Sequence, residues 1–162
     1  MAAAETQSIV PDPDDVSSVN AIIKALYESV SFPPGRQPNY HRLHALFHPS
    51  GVVIPPRTDH VAGLVVMDVG TFITQSRQSI ISTGIERKGF HEIEISRRTE
   101  TFGNITHVFS TYESRHQPND TATLQRGINS IQIGRDGRRC WLLSILWDVE
   151  RPGNPLPKEY IV

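Results

Sequence analysis

Apolar residues along this chain change their spacing near residue 90, from intervals of three and four before it to intervals of two after it. In the first half, Val16, Val19, Ile22, Ile23, Leu26 and Val30 recur as one face of a helix does, with Asp14 or Asp15 available to cap it. That helix ends before Phe32-Pro33-Pro34-Gly35. Asn39 can cap a short second helix carrying Tyr40, Leu43, Leu46 and Phe47, which Pro49 stops. Val52-Val53-Ile54 reads as a short strand closed by Pro55-Pro56, and Val61 with Leu64 to Met67 as another short strand in a segment of weak pattern. Asp68 then caps a third helix with Val69, Phe72, Ile73 and Ile80 inward, and Gly84 suits its C-terminal end.

Four long strands follow, at 90–101, 105–115, 121–133 and 139–149, joined by short turns at 102–104, 117–120 and 134–137. The last two flank an Asp-Gly pair, a strong hairpin signal. The final strand is apolar on both sides: Trp141, Leu143, Ile145 and Trp147 alternate with Cys140, Leu142, Ser144, Leu146 and Asp148. Such a strand needs cover on both faces, helices on one and a second subunit on the other. Helices first and a strand meander afterwards predict an α+β fold, a curved antiparallel sheet wrapped around the N-terminal helices. The domain is expected at 14–150, between a loose tail at 1–13 and a Pro-rich tail at 151–162.

Composition removes several function classes. The chain has 162 residues, 16 basic and 17 acidic, with a formal charge of -1, so no bulk field points to nucleic acid or to a membrane surface. Arg135, Arg138 and Arg139 crowd one hairpin tip without a wider basic face or stacking aromatics, which reads as solvation. Cys140 stands alone within an apolar run and reads as core. No apolar run approaches membrane-spanning length and no leader pattern opens the chain, which predicts a soluble, cytoplasmic protein. His41, His44 and His48 fall in one helical stripe opposite Tyr40, Leu43 and Phe47; that placement predicts exposure, and neither metal nor other cofactor is expected. Glu92, Glu94, Arg97, Arg98, Glu100, Glu113, Arg115 and Arg126 read as structural cross-strand pairs, Glu113 with Arg126 among them.

The order of elements, together with Ala25-Leu-Tyr-Glu-Ser-Val-Ser-Phe, Leu43-His-Ala-Leu-Phe-His-Pro, residues 102–115, Arg126-Gly-Ile-Asn-Ser-Ile-Gln and Trp147-Asp148, resembles the nuclear transport factor 2-like superfamily over residues 14–150. This is the cystatin-like cone that includes ketosteroid isomerases, scytalone dehydratase and polyketide cyclases, and the resemblance is to an uncharacterised bacterial branch of it. It implies a cavity between sheet and helices and a homodimer through the outer sheet face, for which Phe109, Ile128, Leu142 and Leu146 are candidates.

Fold alone supplies no reaction, so site residues rest on register. Pairing across the 117–120 turn places Val108 opposite Asn129, with Thr106, Ser110 and Tyr112 on the same face. A bulge in the Arg-rich hairpin, the arrangement favoured here, adds Ile131, Leu143, Ile145 and Trp147 to that face. The resemblance implies that Asn129, and Tyr27 or its neighbour Leu26, occupy the positions of two oxyanion donors. The isomerase base falls at Pro55, and His44, His48, Asp59 and His60 show no spacing that replaces it. The expected cavity residues are therefore Tyr27, Val108, Ser110, Tyr112, Asn129, Ile131, Leu143, Ile145 and Trp147, with Tyr27 and Asn129 the catalytic candidates. The first expectation is binding of an apolar small molecule in that cavity. The alternative is a lyase or isomerase, dehydratase-like or ketosteroid-isomerase-like, working by acid–base chemistry, and the plain alternative for Asn129, Tyr27 and Trp147 is hydrogen-bonded core.

Overall fold

A computed structural model describes residues 9–161; most of the expected N-terminal tail, residues 1–8, lies outside them. The chain opens with a 3-10 turn at Pro13–Val16, where the Asp12 carboxylate accepts the Asp14 N–H at 3.0 Å. Because Pro13 forms this separate turn, helix α1 (Val19–Val30) starts later than Asp14 or Asp15 would set it, and Ser18 Oγ caps it by accepting the Ala21 N–H at 3.0 Å. Asp15 takes another role. Arg42 donates to both of its oxygens, at 2.7 and 2.8 Å, and to Glu28 at 2.8 Å, tying the opening turn and α1 to helix α2 (Tyr40–Leu46). That guanidinium holds the Asp15 carboxyl below the usual carboxylate range.

Strand β1 (Phe47–Ile54) begins where α2 stops, and His48 therefore lies on a strand, breaking the expected histidine stripe. The apolar run at 61–67 yields only a two-residue strand, β2 (Met67–Asp68), paired with Val52 and Val53; Val61, Leu64 and Val66 are exposed. Helix α3 (Val69–Ser82) starts as expected at Asp68, whose carboxylate accepts the Thr71 N–H at 2.7 Å. Gly84, with φ 73°, ends it and leads into the single turn α4 (Ile85–Lys88). Strands β3 (His91–Phe102), β4 (Ile105–Arg115), β5 (Gln125–Arg135) and β6 (Cys140–Val149) complete one curved, unclosed sheet of order β2-β1-β6-β5-β4-β3. All neighbours are antiparallel except β1 and β6, which run parallel.

Three register details decide which side chains face the helices. First, Leu124 N–H bonds to Ser114 O at 2.8 Å and β5 begins at Gln125, four residues later than expected. Asn129 consequently faces Ser110, and Val108 faces Ile131, a shift of two that preserves the face. Second, β6 does contain a bulge, but it sits within the strand: Gln132 pairs with Ser144 and Ile133 with Leu142. Leu143 is the extra residue and lies over Gly134, 40% exposed, so it does not join Ile145 and Trp147. The bulge also turns Leu142 and Cys140 into the core, removing Leu142 from the outer face and sending Trp141 outward. There Arg139 stacks on the Trp141 ring at 3.5 Å and caps the end of α2 through Ala45 O at 2.7 Å.

Third, Glu92 and Glu94 pair with Ser114 and Tyr112, both of which face the helices, so these carboxylates point inward and Ile93 outward. The expected link between Glu113 and Arg126 does not form: Glu113 takes Arg115 at 2.8 Å and Arg126 takes Glu150 at 2.8 Å. The C-terminal segment crosses the outer face, where the Tyr160 ring meets Phe109 at 5.4 Å and Arg98 stacks on Tyr160 at 4.6 Å.

The core lies between α1, α2, α3 and the inner sheet face, around Ile22, Ile23, Leu46, Val108, Ile131 and Leu142. Gly127 is required within it. A Cβ there would stand 2.3 Å from Asp148 O and 2.7 Å from the Tyr112 hydroxyl. Gly127→Ala is expected to cost roughly 1–3 kcal/mol through overpacking, read as a lowered midpoint in urea unfolding.

Candidate functional site

Between helices and sheet lies a half-open cavity of about 540 Å³. Leu26 and Val30 of α1, Tyr40 and Leu43 of α2, and Phe72 and Ile80 of α3 form the helical wall. Tyr112, Asn129, Ile145 and Trp147 form the sheet wall, and Phe72 meets Trp147 edge to face at 6.2 Å. Lys88, Phe90, Glu92, His116 and Gln125 line the remaining end.

Of the expected cavity residues, Tyr112, Asn129, Ile145 and Trp147 line this space. Tyr27, Val108, Ser110 and Ile131 are buried beside it without lining it, and Leu143 is outside. Leu26, the alternative to Tyr27, does line it. Helical periodicity explains the difference: adjacent residues point about 100° apart, and α1 turns Tyr27 toward β4 and a shallow groove against β3.

Tyr27 and Asn129, expected to act together on a substrate, are bonded to one another. Asn129 Nδ2–H donates to the Tyr27 hydroxyl at 3.0 Å, and that hydroxyl lies 2.6 Å from Ser110 Oγ. The Ser110 hydroxyl donates to Glu94, whose carboxylate Arg97 holds at 2.7 Å. Because Ser110 gives its proton to Glu94, Tyr27 must give its own to Ser110. The line therefore runs Asn129 to Tyr27 to Ser110 to Glu94, and it consumes the phenol's donor. Burial raises the Tyr27 phenol above its ordinary value, and it stays protonated throughout the physiological range. The phenol has no proton left for an occupant, whereas the Asn129 amide spends only one of its N–H groups on Tyr27.

Glu92, grouped in the sequence with structural ion pairs, sits differently. Its backbone N–H donates to Ser31 Oγ at 3.0 Å, latching β3 to the end of α1, and its side chain enters between the cavity and the α1–β3 groove. Burial pushes its carboxyl up to about 8, and no cation offsets that shift. The alternation Glu92-Ile93-Glu94 contained the signal. Alternation alone does not say which of its two faces turns inward, and pairing with the neighbouring strand turns the carboxylates in. His116, also missed, donates Nδ1–H to Gly89 O at 3.0 Å, since a carbonyl can only accept. That bond leaves Nε2 as the acceptor. Gly89, with φ 83°, holds the carbonyl, and a Cβ there would meet His116 O at 2.8 Å.

Among the described residues no group of three or more His, Cys, Asp and Glu is placed to hold a metal ion, and no helix is long and apolar enough to cross a membrane.

No protein-family profile matches the sequence, and no curated protein matches it at a significant level. Solved structures do match in fold. A nuclear transport factor 2-like protein of unknown function from Pseudomonas putida superposes with a TM-score of 0.60 at 10% identity, over 82% of this chain and 84% of that one. A ketosteroid isomerase candidate from Parabacteroides distasonis gives 0.53 at 12% identity, over 82% and 87%. A candidate Ca/calmodulin-dependent kinase II association domain from Exiguobacterium sibiricum gives 0.55 at 11% identity, over 94% and 98%. The fold is thus that of the nuclear transport factor 2-like, or cystatin-like, proteins.

The raised Glu92 value fixes the sign of a pH effect. The folded chain holds this proton more tightly than the unfolded chain, so the Glu92 contribution is full below the usual 4.5 and is lost as pH rises to about 8. Urea unfolding across that window is expected to show stability falling with pH, and Glu92→Gln is expected to flatten the slope. Equal slopes in both proteins would place the carboxyl in water.

Proposed function

We propose that this chain binds a largely apolar small molecule in the cavity between sheet and helices. The observation that carries the reading is the composition of the walls. An enclosure of about 540 Å³ is faced mainly by aromatic and aliphatic groups, with a few polar groups gathered toward Asn129 and toward Glu92, Gln125 and His116. That volume and that lining match the general character of small-molecule sites. Trp147 and Phe72, packed edge to face, supply rigid contact surface at little entropic cost. Native mass spectrometry followed by denaturing extraction would identify a co-purified occupant.

With N-phenyl-1-naphthylamine as a fluorescent apolar probe, saturable binding at one site per chain is expected. Ile80→Trp fills the cavity from a partly exposed position on α3 and is expected to weaken that binding at least tenfold with an unchanged melting temperature. Equal affinity in the variant would place the probe elsewhere and reject the reading.

The second part of the proposal is a homodimer through the outer sheet face. Phe109, Ile128 and Leu146 are only half-buried there, although Tyr160 already covers part of Phe109. The same fold in an Exiguobacterium protein described as an association domain supports this use of the scaffold. Sedimentation at micromolar concentration is expected to give a dimer, and Ile128→Asp a monomer. A monomeric wild-type chain would reject it.

A further inference from the structure

The outer face of the sheet is already occupied in part by the chain itself. After β6, residues 151–161 turn back over the domain instead of leaving it. Arg151 and Asn154 pair backbone to backbone in a tight turn, which Asn154 Nδ2–H ties to Val149 O at 2.9 Å and Arg151 to Asp148 at 2.6 Å. Leu156 N–H then donates to Glu150 Oε1 at 3.3 Å, and Arg126 holds the same carboxylate. The segment ends in a 3-10 turn, Lys158–Tyr160, that lies against β3. Since β6 stands three places from β3 in the strand order, the segment spans about 14 Å at the usual strand spacing and passes over β5 and β4.

Its anchorage at the far end is slight. Arg98 Nη2–H donates to Glu159 O at 3.1 Å, the same guanidinium stacks on the Tyr160 ring at 4.6 Å, and that ring meets Phe109 at 5.4 Å. From 151 to 161 no residue is buried; Leu156 and Tyr160 are half-buried and the rest are exposed. Few apolar contacts and exposed backbone bonds mark a segment that can open while the rest of the fold stays closed.

The place where it docks gives that opening a consequence. Arg98, Phe109, Ser130 and Leu146 form one row across β3, β4, β5 and β6, each opposite the next. Phe109 and Leu146 of this row, with Ile128 two residues from Ser130, are the half-buried apolar groups that the face offers to a second copy. Tyr160 and a second sheet cannot both cover Phe109. A two-fold contact brings the same patch of both chains together, so both segments must lift before the two faces meet. We infer that residues 151–161 are a self-inhibitory strap: when closed, Tyr160 takes the place of a second copy on Phe109, and opening of the straps admits the dimer. This rests on the outer-face dimer reading. Each chain contributes its own closing equilibrium, so the strap enters the dimer affinity twice.

The full-length variant Tyr160→Ala removes both ring contacts and leaves every residue of the sheet face in place. Sedimentation over a concentration series is expected to give a dimer dissociation constant at least about tenfold lower than that of the wild type. Hydrogen exchange of the wild type supplies a second readout. The amides of Leu156, Tyr160 and Ile161, bonded in the closed strap to Glu150, Pro157 and Lys158, are expected to exchange faster as concentration rises and dimer replaces monomer. An interface segment would show the reverse. A wild-type dimer whose affinity and strap exchange are both insensitive to these changes overturns the strap and leaves the dimer standing. A dimer weakened by Tyr160→Ala, with the same amides protected at high concentration, also overturns it, because the segment then lies across the partner. Wild type and variant both monomeric throughout the series overturn the two readings together.

Discussion

A buried line of hydrogen bonds fixes how closely α1 approaches the sheet. It runs from Asn129 on β5 through Tyr27 on α1 and Ser110 on β4 to Glu94 on β3, where Arg97 closes it and reaches back to Asn20 on α1 at 2.6 Å. Three strands and one helix share it. Each hydroxyl has one proton and each is spent, so no member can be withdrawn without leaving a polar atom unsatisfied away from water. A helix packed by apolar contacts alone can slide or rotate along the sheet with modest loss. This network admits one position, and the width of the cavity between α1, α3 and the sheet follows from it.

The molecule therefore has two polar regions with opposite character. In the line from Asn129 to Glu94 the groups satisfy one another, and the ion pair with Arg97 absorbs the charge. Near Gly89 the groups are positioned by the backbone but left incomplete: Glu92 is latched through its N–H, and His116 through its Nδ1. The half-buried Glu92 carboxyl is partly desolvated, which raises its pKa and makes its ionised form less favourable in the folded chain. The contrast between satisfied and unsatisfied groups, rather than residue type, separates architecture from candidate chemistry. Tyr27 and Asn129 look reactive in sequence and bond to one another, with Asn129 also lining the cavity; Glu92 looks like one more surface charge and faces the cavity.

Much of the fold was legible because local physics specifies it. The caps at Asn39 and Asp68, the apolar stripe of α1 and the strand alternation of β4 each need only nearby residues, and the structure retains them. The inward face of β4 was legible too, since a register shift of two residues leaves parity intact. Other features depend on partners distant in sequence. The bulge at Leu143 arises where β6 accommodates β5 on one side and the parallel β1 on the other, and it alone sends Leu142 and Cys140 inward and Trp141 outward. The inward carboxylates of β3 follow from pairing with β4, against the usual preference for burying isoleucine.

The sequence by itself determined the element order, the α+β cone and the apolar wall of Ile145, Trp147 and Leu26, because hydrophobic periodicity and capping act over a few residues. Only the tertiary structure decided that Tyr27 and Asn129 bond to each other, that Glu92 turns from the strand into the cavity end, half-buried, and that His116 lines the cavity with Nδ1 held by Gly89 O. Those outcomes turn on strand parity and on which donors are already spent, and both are properties of residues brought together from far apart in the chain.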